Sequence, residues 1–351
     1  MASSIPSQMR AVRVRGGTGS SDALYIDDNY PVPTLEKGSD SILVQVKAFG
    51  LNRMDTLQRE GKYPLPPGTP EVMGVEFSGV VVAFEPSADS SQHWKAGDEV
   101  FGLTLGGCYA EYVVAQARMT LPKPKHISHA EAASVPEVWF TAFQALRLLN
   151  NIQKGDDVLI HAGASGVGLA AIQLARDFGA NKVFVTAGSQ DKVDFCKSVG
   201  ADAGINYKNT PTGNWADELK ELTGGKGVDV IMDFIGASYF RANLDSLKLD
   251  GRMTLQGFMG GTQLGDKFDI SIILGKRLTV RGSTLRSRSL EYQSNLVQAF
   301  LKEGILDKCI HAEKSQHKLV IHKTYPWTQV KEAHDDMEAN KNVGKLVLII
   351  E

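Results

Sequence analysis

Three cysteines in 351 residues, Cys108, Cys196 and Cys309, are too scattered and of the wrong parity to staple a fold with disulfides, which suits a reducing compartment. Charge of one sign is missing as well. The chain has 38 Lys and Arg against 40 Asp and Glu, a formal net charge of -2. With those charges interspersed there is no basic footprint of the kind that nucleic acid or an anionic membrane requires. No apolar run approaches the roughly 18 residues of a membrane span, and the opening MASSIPSQMR has no hydrophobic signal core. These absences leave a globular, cytosolic protein with small-molecule partners. At roughly 100 to 200 residues per domain, its length predicts about two domains.

What is present falls into two patterns. From Met9 to about Ala115 the apolar runs are short and β-branched (RAVRVR, SILVQVKAFG, FSGVVVAFEP, AEYVVA) and are punctuated by Gly, Pro and Asp, as in an antiparallel β-rich domain. AEAASVPEVWFTAFQALRLL then reads as a helix. After it, DDVLIHA, KVFVTAG, AGINY, VDVIMDFIG, GRMTLQG and RLTVRGS alternate with helical segments, which predicts a parallel, doubly wound sheet of six strands. The tail carries one amphipathic helix and a final strand, too little to fold alone, so it is expected to complete the first domain. The expected boundaries are 1–132 with 291–351 for the first domain and 133–290 for the second.

The first strand of the alternating half runs into HAGASGVG, followed by apolar residues at helical spacing from Val167 to Phe178 and a capping Gly179. A strand, a bare turn and a helix N-terminus together suit a dinucleotide pyrophosphate, because the free N–H groups and the helix dipole attract anionic oxygens. Ala164, Ser165, Gly166, Val167 and Gly168 are the candidate cradle. The spacing is G-x-x-G-x-G rather than G-x-G-x-x-G. A nucleophile elbow, G-x-S-x-G, would need glycine where Val167 stands.

The second strand ends VTAGSQDK, with Gly188 and Ser189 where an NAD site usually has a carboxylate. An acid there would repel a 2′-phosphate, whereas a hydroxyl and the Lys192 ammonium accept it, so NADPH is the expected cofactor. Lys192 also reads as a solvated first-turn residue, and Tyr207 as either a rim or a packing residue.

The segments KAFGLNRMDTLQREGKYPLPPG, GVEFSGVV, PEVWFTAFQAL, HAGASGVG, TAGSQDK, GADAGINYK and EANKNVGKLVL together resemble the zinc-independent quinone oxidoreductases of the medium-chain dehydrogenase/reductase superfamily, with the p53-inducible type the nearest. The resemblance covers almost the whole chain. It implies a GroES-like catalytic domain and a Rossmann domain, an active site in the cleft between them, and a homodimer.

Zinc-dependent relatives place a cysteine where this chain has Asn52, and a His-Glu pair where it has Val75 and Glu76. They also carry four clustered cysteines, where this chain offers only Cys108, so no metal is expected. Without a Lewis acid, reduction of an already electrophilic quinone is the expected chemistry. Reduction of enals or enones at C=C is the nearest alternative, and an RNA-binding or crystallin-like role the alternative of another class.

The resemblance points Asn52 at the nicotinamide ribose or the acceptor oxygen, against an Asx-turn role. Tyr63 is either a donor to the developing oxyanion or a stacking partner for proline. Thr141 lies near the carboxamide or is an ordinary helix threonine. QGFMGG follows the fifth strand, which sets Phe258 and Met259 beside the nicotinamide or in packing. Leu285, Arg286 and Arg288 follow the sixth strand, where the superfamily contacts cofactor and pairs subunits; the arginines read equally as surface residues or phosphate clamps.

Overall fold

The computed structural model describes residues 5–265, 267–311 and 317–351. The chain forms two compact units, one running to Glu137 and resuming at Arg286, the other spanning Val138–Leu285. No helix among the described residues is long and apolar enough to cross a membrane.

In the first unit, β-branched and aromatic runs become strands because they pack well on a pleated, half-buried surface. β1 (Gln8–Val14) and β2 (Leu24–Pro31) form an antiparallel pair. β3 (Ser41–Leu51) leads into α1 (Arg53–Arg59), followed by β4 (Glu76–Glu85), β5 (Glu99–Leu103), β6 (Tyr112–Gln116), β7 (Thr120–Pro122) and α2 (His129–Ala133). β3 is buried along most of its length because β4 and β6 both bond to it and α2 packs on it.

The segment that reads as one helix is broken. α2 ends at Ala133, α3 (Pro136–Phe143) starts on a proline, and Gln144–Leu149 continue as a π-helical turn. Pro136 has no N–H to donate and disfavours helical geometry at Val135, so the helix must restart.

The second unit contains β8 (Asp157–Ile160), α4 (Gly166–Asp177), β9 (Lys182–Ala187), α5 (Gln190–Ser198), β10 (Ala203–Asn206), α6 (Trp215–Leu222), β11 (Val228–Asp233), α7 (Ala237–Ser246), β12 (Leu247–Leu255), α8 (Ser271–Gly275) and β13 (Thr279–Gly282). Among the described residues its six strands are ordered β10-β9-β8-β11-β12-β13, every pair parallel. The order reverses between β8 and β11, which is where doubly wound sheets bind ligands at the carboxyl ends of their strands.

The chain then returns to the first unit with α9 (Leu290–Lys302), β14 (Ile321–Pro326), α10 (Val330–Glu338) and β15 (Lys345–Ile349). β15 pairs antiparallel with β3, and β14 adds outside it, giving the order β14-β15-β3-β4-β5-β7 with β6 also on β3. The tail thus joins the first unit's sheet through two strands, one more than the sequence pattern suggested. The architecture is the GroES-like β-rich unit plus six-stranded Rossmann sheet that the resemblance implies.

Because Leu348 of β15 is fully buried, Leu348→Ala is expected to cost about 2–5 kcal/mol of unfolding free energy. Leu249 of β12 is 56% exposed, so Leu249→Ala should stay within about 0.5 kcal/mol. Urea unfolding of the two variants beside the parent checks the contrast.

Candidate functional site

In the second unit, the turn after β8 is shaped by contacts that exclude side chains. A β-carbon on Gly168 would lie 2.5 Å from the carbonyl oxygens of both Ala162 and Gly163, and one on Gly163 would lie 2.7 Å from Val185 of β9. Ala162 takes a positive φ of 50° to make the bend. Ser165 caps α4, its Oγ accepting from the Gly168 N–H at 3.0 Å, which leaves its own O–H to donate. The first-turn amides of Gly166 and Val167 have no intrahelical acceptor. Within the turn at Ala164 to Gly168, Gly166 and Val167 therefore present backbone donors at a helix N-terminus, a fit for the pyrophosphate of a dinucleotide.

At the ends of β9 and β10, Gly188 and Tyr207 approach each other, and Ser189 and Lys192 lie at the start of α5. A β-carbon on Gly188 would lie 2.9 Å from the Tyr207 hydroxyl. Ser189 caps α5, accepting from the Lys192 N–H at 3.3 Å, so its hydroxyl has a local structural role beside any ligand role. Tyr207 is exposed rather than packed in the core.

Past β11 and β12 two loops lock together. Asp233 accepts from the N–H groups of Ile235 and Gly236, and burial pushes its carboxyl up to about 6. Met259 and Gly260 donate to the carbonyls of Phe234 and Ile235 at 3.1 and 2.7 Å. This holds Phe258 and Met259 out from the fold, 58% and 53% exposed. Neither side chain is packed. Thr141 is half-buried on α3, and Leu285 is buried.

In the first unit, Asn52 is the N-cap of α1, its backbone N–H donating to Asp55 Oδ2 at 2.8 Å. Its amide is held on both sides: Nδ2 donates to Glu76 Oε1 at 2.8 Å, and Oδ1 accepts from Lys345 Nζ at 2.8 Å. Lys345 also donates to Glu76 Oε1 at 2.5 Å and to the Leu51 carbonyl at 3.0 Å. The Glu137 N–H donates to the other oxygen of Glu76 at 2.9 Å. A β-carbon on Gly50 would come within 2.2 Å of Glu76 Oε1, so this carboxylate dictates the glycine in AFGLN. Burial and the Glu76 charge push the Glu137 carboxyl up to about 7.

Asp55 is fully buried, and burial raises its carboxyl to about 6. Its Oδ2 accepts from the Tyr109 hydroxyl at 3.3 Å, and Tyr109 meets His334 Nε2 at 3.3 Å. The other nitrogen of His334 meets Arg59, which pairs with Glu338. Tyr63 is half-buried with the Arg286 guanidinium 5.5 Å from its ring centroid. Burial, followed by the Glu137 charge, raises its hydroxyl above the ordinary value, so it is a neutral phenol near pH 7.

Arg286 is itself buried, donating to the Leu105 carbonyl and to Gln58 Oε1, both at 2.8 Å. That corrects its reading as a surface residue; the sequence carries no mark of the contact. Arg288 lies over the Tyr292 ring. Sequence reasoning also missed Lys345, Glu137 and Asp55 as members of the cluster. Two signals were present: N-x-x-D is a capping pattern, and a lysine opening the apolar run KLVLII is anomalous for a buried strand.

Two family models match the chain: the alcohol dehydrogenase GroES-like domain over residues 38–125 and the zinc-binding dehydrogenase over 166–302. The rat quinone oxidoreductase is 30% identical, the match covering 97% of this chain and 98% of that protein. The chain belongs to the medium-chain dehydrogenase/reductase family of oxidoreductases. Among solved structures, an NAD-dependent alcohol dehydrogenase is similar at 33% identity and a TM-score of 0.79, covering 98% of this chain and all of the other. A mycobacterial protein solved with NADPH is similar at 30% identity and a TM-score of 0.81, covering 97% and 100%.

The zinc in the second model's description does not suit these residues. The oxygens of Asn52 and Glu76 already serve the Lys345 ammonium, a fixed charge that would repel a divalent cation, and Val75 offers no ligand. Among the described residues no three His, Cys, Asp or Glu side chains are grouped to hold a metal.

His334 supplies a pH test. Burial and the Arg59 charge lower its pKa to about 3 from the usual 6.5. Between those values the unfolded chain binds a proton that the folded chain does not. Its contribution is therefore complete above pH 6.5 and is lost as pH falls towards 3. The raised carboxyls of Asp55, Glu137 and Asp233 act in the opposite sense and are common to parent and variant. His334→Asn should flatten the fall in urea midpoint between pH 6.5 and 4 relative to the parent.

Proposed function

We propose that this chain is an NADPH-dependent, zinc-independent quinone reductase of the p53-inducible type, acting as a homodimer. The observation that carries the nucleotide choice is the rim of Gly188, Ser189, Lys192 and Tyr207. None of these four is a carboxylate, the nearest acid in the sequence being Asp191 in the first turn of α5, and the Tyr207 hydroxyl stands where a longer side chain at 188 would go. Ser189, Lys192 and Tyr207 hold the 2′-phosphate, the turn at Ala164 to Gly168 holds the pyrophosphate, and Thr141, Leu285, Phe258 and Met259 line the nicotinamide end.

Bound NADPH supplies a hydride. The protein's own part is to orient the acceptor and to meet the oxygen that gains negative charge. Tyr63, neutral at working pH, donates a hydrogen bond and then a proton to that oxygen, and solvent restores the phenol. Asn52 offers its second N–H, since the first serves Glu76 and its oxygen serves Lys345.

Quinones suit this machinery because their carbonyls are electrophilic without a metal, and the 30% identity to a quinone oxidoreductase over nearly the whole chain supports the choice. A second copy is the proposed partner. β13 is the last strand of its sheet, with exposed Ile270 and Leu274 beside it at α8.

Calorimetry should find NADPH bound at least tenfold more tightly than NADH, with Lys192→Ala removing about tenfold of that preference, or about 1.4 kcal/mol. Equal affinity for the two nucleotides rejects the rim. In steady-state assays an ortho-quinone should consume NADPH faster than an unsaturated aldehyde, and Tyr63→Phe should lower kcat by roughly 10- to 100-fold. Preference for the aldehyde reassigns the substrate to enones.

A further inference from the structure

Lys345 opens a buried strand, is 4% exposed, and directs its ammonium at three oxygens: the Leu51 carbonyl, Asn52 Oδ1 and Glu76 Oε1. An ammonium carries three protons, so each has an acceptor. Glu76 is equally committed, one oxygen taking Lys345 and the Asn52 amide, the other the Glu137 N–H. The Asn52 amide thus lies between a cation at its oxygen and a carboxylate at its nitrogen. Turned over, it would aim N–H groups at an ammonium and a carbonyl at a carboxylate. Both contacts would become repulsive among buried groups, where such terms are weakly screened.

We propose that the buried Lys345–Glu76 pair is a positioning element for the reduction. It fixes Asn52 as a hydrogen-bond donor with one N–H left for the acceptor. This rests on the reading that Asn52 meets the acceptor oxygen. No bond is made or broken at the pair. An amide locked this way selects an acceptor by its lone pair: a carbonyl oxygen is bound, and a group that can only donate finds no acceptor on Asn52.

Removing Lys345 alone would strand the Glu76 carboxylate in the interior, so the pair is removed together in Glu76→Gln/Lys345→Met. Full-length parent, Asn52→Ala, the paired variant and the triple variant form a double-mutant cycle, read as kcat and KM for one quinone at saturating NADPH. With Asn52 present, loss of the pair should lower kcat about tenfold, KM moving less than about twofold. With Asn52→Ala, the same loss should change kcat by less than about twofold. Equal loss in both backgrounds, or no loss in either, overturns the proposal.

A second measurement needs neither turnover nor a folded variant. In the parent labelled with 15N-asparagine, one Asn52 side-chain proton should be shifted downfield by its carboxylate partner and protected from exchange with solvent deuterium. Shifts and solvent exchange for both Asn52 protons like those of an exposed asparagine reject the lock. A parent that consumes NADPH with neither quinone nor enal sinks the functional reading, while the amide signals still decide whether the lock exists.

Discussion

The first unit depends on β15 pairing with β3. That one antiparallel ladder carries Lys345 to a carboxylate 269 positions earlier in the chain, in the buried part of the sheet. A buried ion pair is seldom a source of stability, because desolvating two charges offsets their attraction. What this one supplies is definition. Glu76 requires the absence of a side chain at Gly50, receives the first turn of α3 through the Glu137 N–H, and sets the amide at the start of α1.

The same cluster shows how a dehydrogenase scaffold does without a metal. An ammonium meets the oxygens of Asn52 and Glu76, and it is delivered by the chain rather than from solution. An ammonium donates in fixed directions and cannot enlarge its coordination to take in a substrate oxygen, as an open zinc site can. Its influence on a ligand must therefore pass through the groups it holds. The second unit is built differently: the turn after β8 exposes backbone amides at a helix N-terminus, and side chains are excluded at Gly163 and Gly168.

Local patterns carried most of the fold. The six strands of the parallel sheet, the glycine turn and the β-rich start are all contiguous signals, set by residue type and spacing over a few positions. The exception among elements, the break at Pro136, was also local; the proline lay in plain view inside an apolar stretch that otherwise keeps helical character. The cluster in the first unit was legible only in pieces. Asn52 and Tyr63 stand in recognisable surroundings, but Lys345, Arg286 and His334 reach their partners through tertiary contacts hundreds of positions long. The lysine of VGKLVLII is anomalous for a buried strand, but nothing in a short window names Glu76 as its partner.

The close approach of Tyr207 to Gly188 bears on how this nucleotide rim can evolve. A carboxylate introduced at 188 would collide with the phenol before it reached a ribose, and clearing the phenol alone would remove one wall of the rim without supplying a new ligand. A side chain at 188 therefore requires a coordinated change at 207, at the end of the neighbouring strand. The two positions are coupled by sterics, whatever charge the new residue carries.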